Sequence, residues 1–261
     1  MIWSGFGLTD VGKVRKMNQD AFAVRNDLQL WVVADGMGGH TGGEVASRIA
    51  IETITRYVAT SAPFPEKTED HLRPQESQLV QALECANQAI REETQHNPAL
   101  QGMGTTVVAV HILHDLTGSY ATVAHAGDSR LYLFREQILT LWTRDHTLME
   151  EQLELKLITP EQVRTHPLRH VLTKGLGIEP QVIPSVITYT LRPHDLLLLC
   201  SDGLTKMLLD EEIRVLLLKA HHSLPQLCET LIKTANRLGG EDNTTVVVIG
   251  KDNDRTVTMP S

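Results

Sequence analysis

The amino-acid sequence predicts an α+β fold in which mostly antiparallel sheets are covered by helices. Short apolar segments rich in β-branched residues open the chain, and two long amphipathic segments follow them together. A run of further strands comes next, and two more helices precede a last strand. A doubly wound parallel sheet would instead alternate strand and helix regularly. The order of the elements therefore decides the predicted class.

Nine segments have the apolar pattern of strands, and Gly, Asp or Asn usually bounds them. In chain order they are residues 6–9, 21–24, 30–34, 105–112, 120–126, 131–134, 186–191, 195–200 and 244–249. Only 4% of the residues are aromatic. We therefore expect a core built from Leu, Val, Ile and Ala.

Four segments carry apolar residues at helical spacing. They are residues 44–59, 77–94, 210–219 and 224–238, and the last ends at a Gly-Gly pair that is a plausible helix stop. Residues 63–74 contain three prolines and predict a surface connection between the two long helices. Residues 143–170 are polar and interrupted by two prolines, which predicts a small helical insertion. Residues 251–261 predict a polar, frayed tail.

The composition of the 261-residue chain is that of an ordinary globular protein, with 41% hydrophobic and 21% charged residues. The 24 Lys and Arg against 32 Asp and Glu give a formal net charge of −8, and no basic run argues for nucleic acid. The apolar runs are far shorter than the about 18 residues of a membrane span. No export signal is recognisable at the amino terminus. We expect a cytoplasmic protein with neither nucleic acid nor membrane as a partner.

Cysteine and histidine patterns give little support for a zinc site. The three cysteines form no Cys-x-x-Cys pair, which favours reduced thiols over a disulfide or zinc framework. They are Cys85, Cys200 and Cys228. The spaced pairs His111/His114 and His166/His170 lack a nearby Cys or Glu to complete a ligand set. We therefore expect solvated histidines, with the first pair facing solvent at a strand end.

The strongest chemical signal is an aspartate at the end of an apolar strand, repeated five times. Three of them follow a strand and two immediately precede one: Asp35, Asp128 and Asp202, then Asp20 and Asp242. Any one alone is most simply a turn residue. Five together indicate a site that requires cations, because clustered carboxylates repel one another. Oxygen ligands favour magnesium or manganese over zinc, but the spacing leaves open whether the five converge.

The densest glycine run, residues 35–44, begins at the first of these aspartates. It predicts a backbone that comes close to another group, and Gly36 could offer its carbonyl to a metal. The run lacks the Lys-Ser/Thr pair of a Walker loop and the third glycine of a dinucleotide fingerprint. A nucleotide is therefore disfavoured, and the nature of the ligand stays open.

Seven short motifs stand in one order across residues 5–249. They are Arg15-Lys-Met-Asn-Gln-Asp20, Val33-Ala-Asp-Gly-Met-Gly-Gly-His40 with Gly43-Glu44, Gly102-Met-Gly-Thr-Thr106, His125-Ala-Gly-Asp-Ser-Arg130, Asp145-His-Thr147, Cys200-Ser-Asp-Gly-Leu204 and Glu241-Asp-Asn-Thr-Thr-Val246. Together they resemble the metal-dependent protein serine/threonine phosphatases of the type 2C, or PPM, family in its compact bacterial form. The resemblance implies a four-layer α/β/β/α sandwich of two antiparallel sheets flanked by helices. It also implies one catalytic domain over residues 1–250, with residues 143–170 as a flap beside the active site.

The resemblance implies a pair of Mn²⁺ or Mg²⁺ ions and a water that bridges them and attacks the phosphate. The implied ligands are Asp35, which bridges both ions, the carbonyl of Gly36, Asp202 and Asp242, with Asp20 in the outer shell. Asp128 and Asp202 would take a third, weaker ion. Arg15 would bind the substrate phosphate through its fork of donors.

One family feature is missing. Met37 stands where some members have a histidine proposed as the general acid. His40 follows three residues later, and proton donation, substrate contact and a structural role all stay open for it, with metal-bound water as the competing donor. Glu241 stands where relatives often have Arg, and we expect this difference to have a minor effect on the site, because no metal role is assigned to the position. A sufficient structural role for Asp145 is that of a helix cap.

We therefore expect a monomeric, manganese- or magnesium-dependent phosphatase whose partners are phosphoproteins carrying phosphoserine or phosphothreonine. A catalytically weak pseudophosphatase that acts as a regulatory binding module is the alternative, and a hydrolase of small phosphoesters is a third possibility. Retention of the aspartates together with Arg15 counts against the pseudophosphatase, because an inactive copy is free to lose any of them.

Overall fold

The structure, a computed structural model, describes residues 3–39, 41–61, 72–218 and 223–251, without the side chains of residues 164 and 165. The helices are α1 Gly42–Thr60, α2 Pro74–His96, α3 Leu148–Glu154, α4 Pro160–Thr165, α5 Asp202–Thr205, α6 Asp210–Leu218 and α7 Leu224–Leu238. The strands are β1 Trp3–Asp10, β2 Asp20–Arg25, β3 Leu30–Met37, β4 Gly104–Thr105, β5 Val107–His114, β6 Ser119–Ala126, β7 Arg130–Arg135, β8 Ile138–Leu141, β9 Ser185–Leu191, β10 Leu196–Cys200 and β11 Thr244–Lys251. A 3₁₀ turn follows α2 at Pro98–Leu100.

Two sheets form the centre of the molecule. One has the strand order β1-β11-β10-β7-β8, and the other has the order β2-β3-β5-β6-β9 with the short β4 paired to β3. Each pairing between the described strands is antiparallel. The antiparallel architecture expected from the element order is confirmed.

The sheets pack face to face through a buried apolar layer to which both contribute. Trp31 and Val33 of β3 lie in the same cluster as Leu199 of β10. Because successive side chains of a strand point to opposite faces, the alternate residues Val32 and Ala34 lie in a different cluster, with residues of α1 and α2. A central strand therefore has two apolar faces, which explains its unbroken apolar sequence.

Helices complete the outer layers. The side chains of β10 and β11 that face away from the inter-sheet layer, such as Leu198 and Val248, pack with Ile213 of α6 and Leu231 of α7. Helices α1 and α2 cover the other sheet in the same way. The four-layer sandwich is thus confirmed. No helix of the described ranges has the length and apolar character that crossing a membrane requires.

The predicted helices agree with α1, α2, α6 and α7 to within three residues at every end, the largest difference being 74 against 77 at the start of α2. The predicted insertion contains α3 and α4. Strand β8 was not predicted, because it is a mostly exposed edge strand without an apolar alternation. The single turn α5, which begins at Asp202 itself, was not predicted either. Most of the connection at 63–74 and residues 252–261 of the tail lie outside the described residues.

Two side-chain predictions are wrong. His111 does not face solvent: it is only 6% exposed, because β5 lies inside its sheet, between β3 and β6, and burial lowers the pKa of His111 to about 4. His114 at the strand end is exposed, as expected. Asp145 does not cap α3, since Thr147 occupies that position and accepts the capping hydrogen bond. The thiols are free, with Cys200 and Cys228 buried and Cys85 exposed.

Candidate active site

The first two predicted site residues lie directly opposite each other. Asp20 begins β2, Asp35 lies in β3, and the two are register partners of the antiparallel pair. Partners of this kind project to the same face of a sheet, where like charges destabilise the pairing. The fold therefore places two repelling carboxylates side by side.

Asp20 also connects the two sheets. Ser201, which follows β10, and Thr245 of β11 each donate a hydrogen bond of 2.7 Å to Oδ2 of Asp20. The other carboxylate oxygen, Oδ1, is buried and has no partner among the described residues. Burial and the charges of Asp202 and Asp242 outweigh the two hydrogen bonds and raise the pKa of Asp20 to about 6.

A lysine stands between the next two carboxylates. Asp202 is the first residue of α5, and Lys206 follows it by one helical turn. Nζ of Lys206 lies 2.6 Å from Oδ2 of Asp202 and 2.7 Å from Oδ2 of Asp242. Oδ1 of Asp202 is buried without a hydrogen-bond partner in the described part of the chain. Gly203 permits a close approach between α5 and the residue that precedes β11, because a Cβ at Gly203 would lie 1.9 Å from the carbonyl oxygen of Asn243.

Asp242 has a second cationic neighbour in Arg15. Nε of Arg15 lies 2.9 Å from Oδ1 of Asp242, and Nη2 donates to Oδ2 at 3.0 Å, which is the two-pronged geometry typical of an arginine–carboxylate pair. The Arg15 side chain is 53% exposed. Burial alone would raise the pKa of Asp242, but the hydrogen bond from Lys206 and the charges of Lys206 and Arg15 lower it below its ordinary value.

Asn243 holds the loop that carries Arg15. Its buried side chain accepts a hydrogen bond of 2.8 Å from the backbone N–H of Gln19. Its amide also donates to the carbonyls of Val11 at 3.0 Å and Met17 at 2.9 Å. One side chain at the start of β11 thereby fixes both ends of the segment between β1 and β2.

Asp128 and Asp35 complete the group of five. Burial first, and then the charges of Asp202 and Asp145, raise the pKa of Asp128 to about 7. The pKa of Asp35 is raised well above its ordinary value by desolvation and by the charges of all four other predicted aspartates. The structure thus brings the five strand-end carboxylates together in one electrostatic cluster.

Two contacts support the turn that carries Asp128. Arg130 forms a two-pronged ion pair with Asp145, with hydrogen bonds of 2.9 Å from Nε and 2.7 Å from Nη2. The backbone N–H of Gly127 donates to Nδ1 of His146 at 3.2 Å. Burial and nearby positive charges lower the pKa of His146 to about 3, so its ring is neutral and Nδ1 is free to accept. Asp145 therefore contacts Arg130 beside this turn and also acts on Asp128 through its charge.

The glycine run brings β3 against the start of α1. A Cβ at Gly36 would lie 2.0 Å from the carbonyl oxygen of Gly43, and one at Gly43 would lie 2.7 Å from the carbonyl of Gly36. The close approach predicted for the glycine run therefore exists, and the groups that approach each other are the backbones of Gly36 and Gly43. His40, the candidate proton donor of the same run, lies outside the described residues.

A cleft of about 910 Å³ opens over the cluster. The predicted residues Arg15, Asp128, Asp202 and Asp242 line it. It is also lined by three cationic side chains that were not predicted as site residues, Lys206, Arg130 and Arg169, and by His170. Two of these, Arg169 and His170, belong to the predicted insertion. The spacing of four residues from Asp202 was the available signal for Lys206, had α5 been predicted.

The donor set suits hard divalent cations, because it consists of carboxylate oxygens and two of those oxygens are buried without partners. Across the described residues, no three or more His, Cys, Asp or Glu side chains are already gathered as ligands. The oxygens Oδ2 of Asp202 and Asp242 point at the ammonium of Lys206 instead. The residues thus fit a metal site in composition and charge, while Lys206 occupies one oxygen of each of these two carboxylates.

Residues 13–244 match the family model described as Protein phosphatase 2C. The chain belongs to the protein phosphatase 2C family. It is 34% identical over 248 residues to the serine/threonine phosphatase stp of Listeria monocytogenes, covering 94% of each chain. The family resemblance inferred from the seven motifs is confirmed, and so is the predicted enzyme class, a protein serine/threonine phosphatase.

Solved structures of phosphatases share the fold over nearly their whole length. The serine/threonine phosphatase PstP/Ppp of Mycobacterium tuberculosis superposes with a TM-score of 0.84 at 32% identity, over 97% of this chain and 100% of that one. The catalytic domain of the phosphatase PstP, solved in complex with two manganese ions, gives a TM-score of 0.78 at 32% identity, over 95% and 98% of the two chains.

Proposed function

We propose that this phosphatase hydrolyses phosphoserine and phosphothreonine in proteins with two divalent cations, manganese or magnesium, bound at the carboxylate cluster. The observation that carries the proposal is the pair of buried, unpartnered carboxylate oxygens, Oδ1 of Asp20 and Oδ1 of Asp202, inside a cluster of five aspartates. Buried carboxylate oxygens without donors are costly unless a cation neutralises them. The manganese ions bound by the PstP catalytic domain agree with this requirement.

The residues that would hold the cations are those of the strand ends. Asp35, the carbonyl of Gly36, Asp202 and Asp242 would form the ligand set, and Asp20 would orient water beside it. The charge of Asp202 raises the pKa of Asp128, and these two aspartates would share a third, weaker ion. When bound, the cations neutralise the phosphate dianion and supply an activated water for attack in line with the leaving alcohol.

Arg15 would bind the phosphate of the substrate. A guanidinium has five N–H donors, and among the described residues two of them go to Asp242. Three donors are left for phosphate oxygens at an exposed position on the cleft. The contact with Asp242 orients the guanidinium, so little side-chain freedom is lost when phosphate binds.

We also propose that residues 1–250 form one catalytic domain in which residues 143–170 act as a flap over the cleft. Thr147, Glu150, Val163, Arg169 and His170 of this segment line the cleft together with the site aspartates. Because this segment lines the cleft, it would contact the protein substrate and contribute to its selection. His40 remains a predicted candidate for proton donation.

The test is phosphate release from a phosphothreonine peptide by protein stripped of metal, with Mn²⁺ then added back. We expect activity only with metal, and a loss of at least about a hundredfold in Asp35→Asn and Asp202→Ala, because each removes a metal ligand. Asp27→Asn is the matched control, since Asp27 pairs with Arg25 on the surface away from the cluster.

Near-normal activity of Asp202→Ala contradicts the proposed site. Binding of Mn²⁺ by calorimetry without hydrolysis of the peptide or of an aryl phosphate favours the regulatory binding module instead. Faster turnover of free phosphorylated metabolites than of phosphopeptides favours the small-phosphoester hydrolase.

A further inference from the structure

Lys206 differs from an ordinary surface lysine in what surrounds it. Its side chain is 24% exposed, and its ammonium contacts two half-buried carboxylates at 2.6 and 2.7 Å. Lys233 of α7 forms a pair of the same i,i+4 spacing with Glu229, but its side chain is 76% exposed. Pairs shielded from water interact more strongly than exposed ones, because solvent screens them less.

The ammonium of Lys206 lies between two of the five aspartates, Asp202 and Asp242, and contacts both. A third, Asp128, lines the same cleft as Lys206. Without a compensating cation these carboxylates would repel one another. Lys206 therefore stabilises the cluster in the metal-free protein.

We infer that Lys206 is an internal cation that competes with the divalent metal for Asp202 and Asp242 and so sets the metal affinity of the site. The inference rests on the proposed function, since it requires these two aspartates to be metal ligands. A metal that takes Oδ2 of either aspartate weakens the contact of that aspartate with the ammonium, whereas a metal held by Oδ1 of Asp202 leaves the ammonium beside it. An ammonium that stays nearby also repels a divalent cation.

Removal of the positive charge of Lys206 ends both the competition for the carboxylate oxygens and the repulsion of the metal, and each change strengthens metal binding. Lys206→Met keeps most of the aliphatic stem, leaves Asp202 without its cation and Asp242 with Arg15 alone when no metal is bound, and removes the repulsion with metal. We expect Lys206→Met to bind Mn²⁺ at least about tenfold more tightly than the wild type in isothermal titration calorimetry of metal-stripped protein. We also expect its melting temperature in chelator to be lower than that of the wild type.

Two variants serve as controls. Lys206→Arg keeps the positive charge and should leave the Mn²⁺ affinity close to the wild-type value, whereas a merely steric role would make both substitutions alike. Lys233→Met removes an exposed lysine of the same spacing and should change neither the affinity nor the melting temperature. Lys206→Gln replaces Lys206→Met if the latter does not fold, because the amide keeps hydrogen-bonding capacity without charge.

An affinity for Mn²⁺ that is unchanged or weaker in the charge-free variant overturns this inference. The proposed function fails in a different way: the wild type would then bind no Mn²⁺, or would bind it equally well in Asp202→Ala. Binding that is lost in Asp202→Ala but unchanged in Lys206→Met overturns the role of Lys206 alone.

Discussion

At the scale of single residues, Asn243 shows how a buried amide controls a charged group that it does not touch. Its side chain is hydrogen-bonded to the backbone of Val11, Met17 and Gln19, and Arg15 lies between these anchor points. Loss of the side chain leaves three backbone groups without their partners. A buried donor or acceptor left without a partner costs more free energy than its hydrogen bond contributed in the wild type.

For Asn243→Ala we expect a free energy of unfolding lower by about 2–4 kcal/mol and a KM for phosphopeptide raised several-fold, with a smaller change in kcat. The KM rises because the loop of Arg15 loses its anchors. Denaturant unfolding and steady-state kinetics measure the two effects. Asn87→Ala is the matched control, because Asn87 is also buried and bonds three backbone groups, of Gly177, Glu179 and Pro180. A comparable rise in KM in both variants would contradict the specific role of Asn243.

At the scale of elements, the site depends on how closely a strand and a helix approach. The backbone of β3 at Gly36 meets the first turn of α1 at Gly43, and a side chain at either position would overlap the other backbone. Backbone atoms give way less than the ends of flexible side chains. The position of the Gly36 carbonyl is therefore coupled to the packing of α1.

Gly43→Ala should lower the free energy of unfolding by about 1–3 kcal/mol, as overpacking of a close contact does, and it should reduce phosphatase activity. The activity falls because α1 displaces β3 next to Asp35. Gly39→Ala, where a Cβ would meet nothing within 4 Å, should change stability by less than about 0.5 kcal/mol. Thermal unfolding and phosphate release on both variants provide the measurement. Equal effects of Gly43→Ala and Gly39→Ala on stability and activity would show that the contact between β3 and α1 does not determine either property.

At the scale of the whole molecule, the carboxylate cluster links stability to pH. The pKa values of Asp20 and Asp128 are raised to about 6 and about 7, and burial first, then the charges of the other aspartates, raises the pKa of Asp35 well above its ordinary value. A group whose pKa is higher in the folded state stabilises the fold while it is protonated. That contribution is lost as the pH rises through the folded-state pKa.

The carboxylate cluster should therefore contribute more to the melting temperature of the metal-free protein at pH 5.5 than at pH 8, in a window set by pKa values of about 6 and 7. Buried His111 and His146, whose pKa values are lowered to about 4 and about 3, act in the opposite direction, so the carboxylate contribution is measured as the difference between the wild type and Asp128→Asn. Added Mn²⁺ should raise the melting temperature more at pH 8, where the carboxylates are ionised. Differential scanning fluorimetry with and without chelator measures both effects. The melting temperature of Asp128→Asn should exceed that of the wild type more at pH 8 than at pH 5.5, and a difference that does not change with pH would contradict the assignment.

Features that depend on neighbouring residues along the chain were predictable from the sequence. Helix α7 was predicted at its observed ends, because its apolar residues repeat at helical spacing and a glycine pair follows it. The strand-end aspartates were visible because each stands beside its own apolar segment. The motif order was sufficient to identify the family, and with it the sandwich.

Features that depend on residues far apart in the chain could be read only from the folded structure. Ser201 donates to Asp20 across 181 positions, and Arg15 reaches Asp242 across 227. The burial of His111 follows from the two strands that flank β5, and the role of Lys206 follows from a partner 36 positions away. Local periodicity carries no information about such contacts, because they form only when two sheets bring their strand ends together.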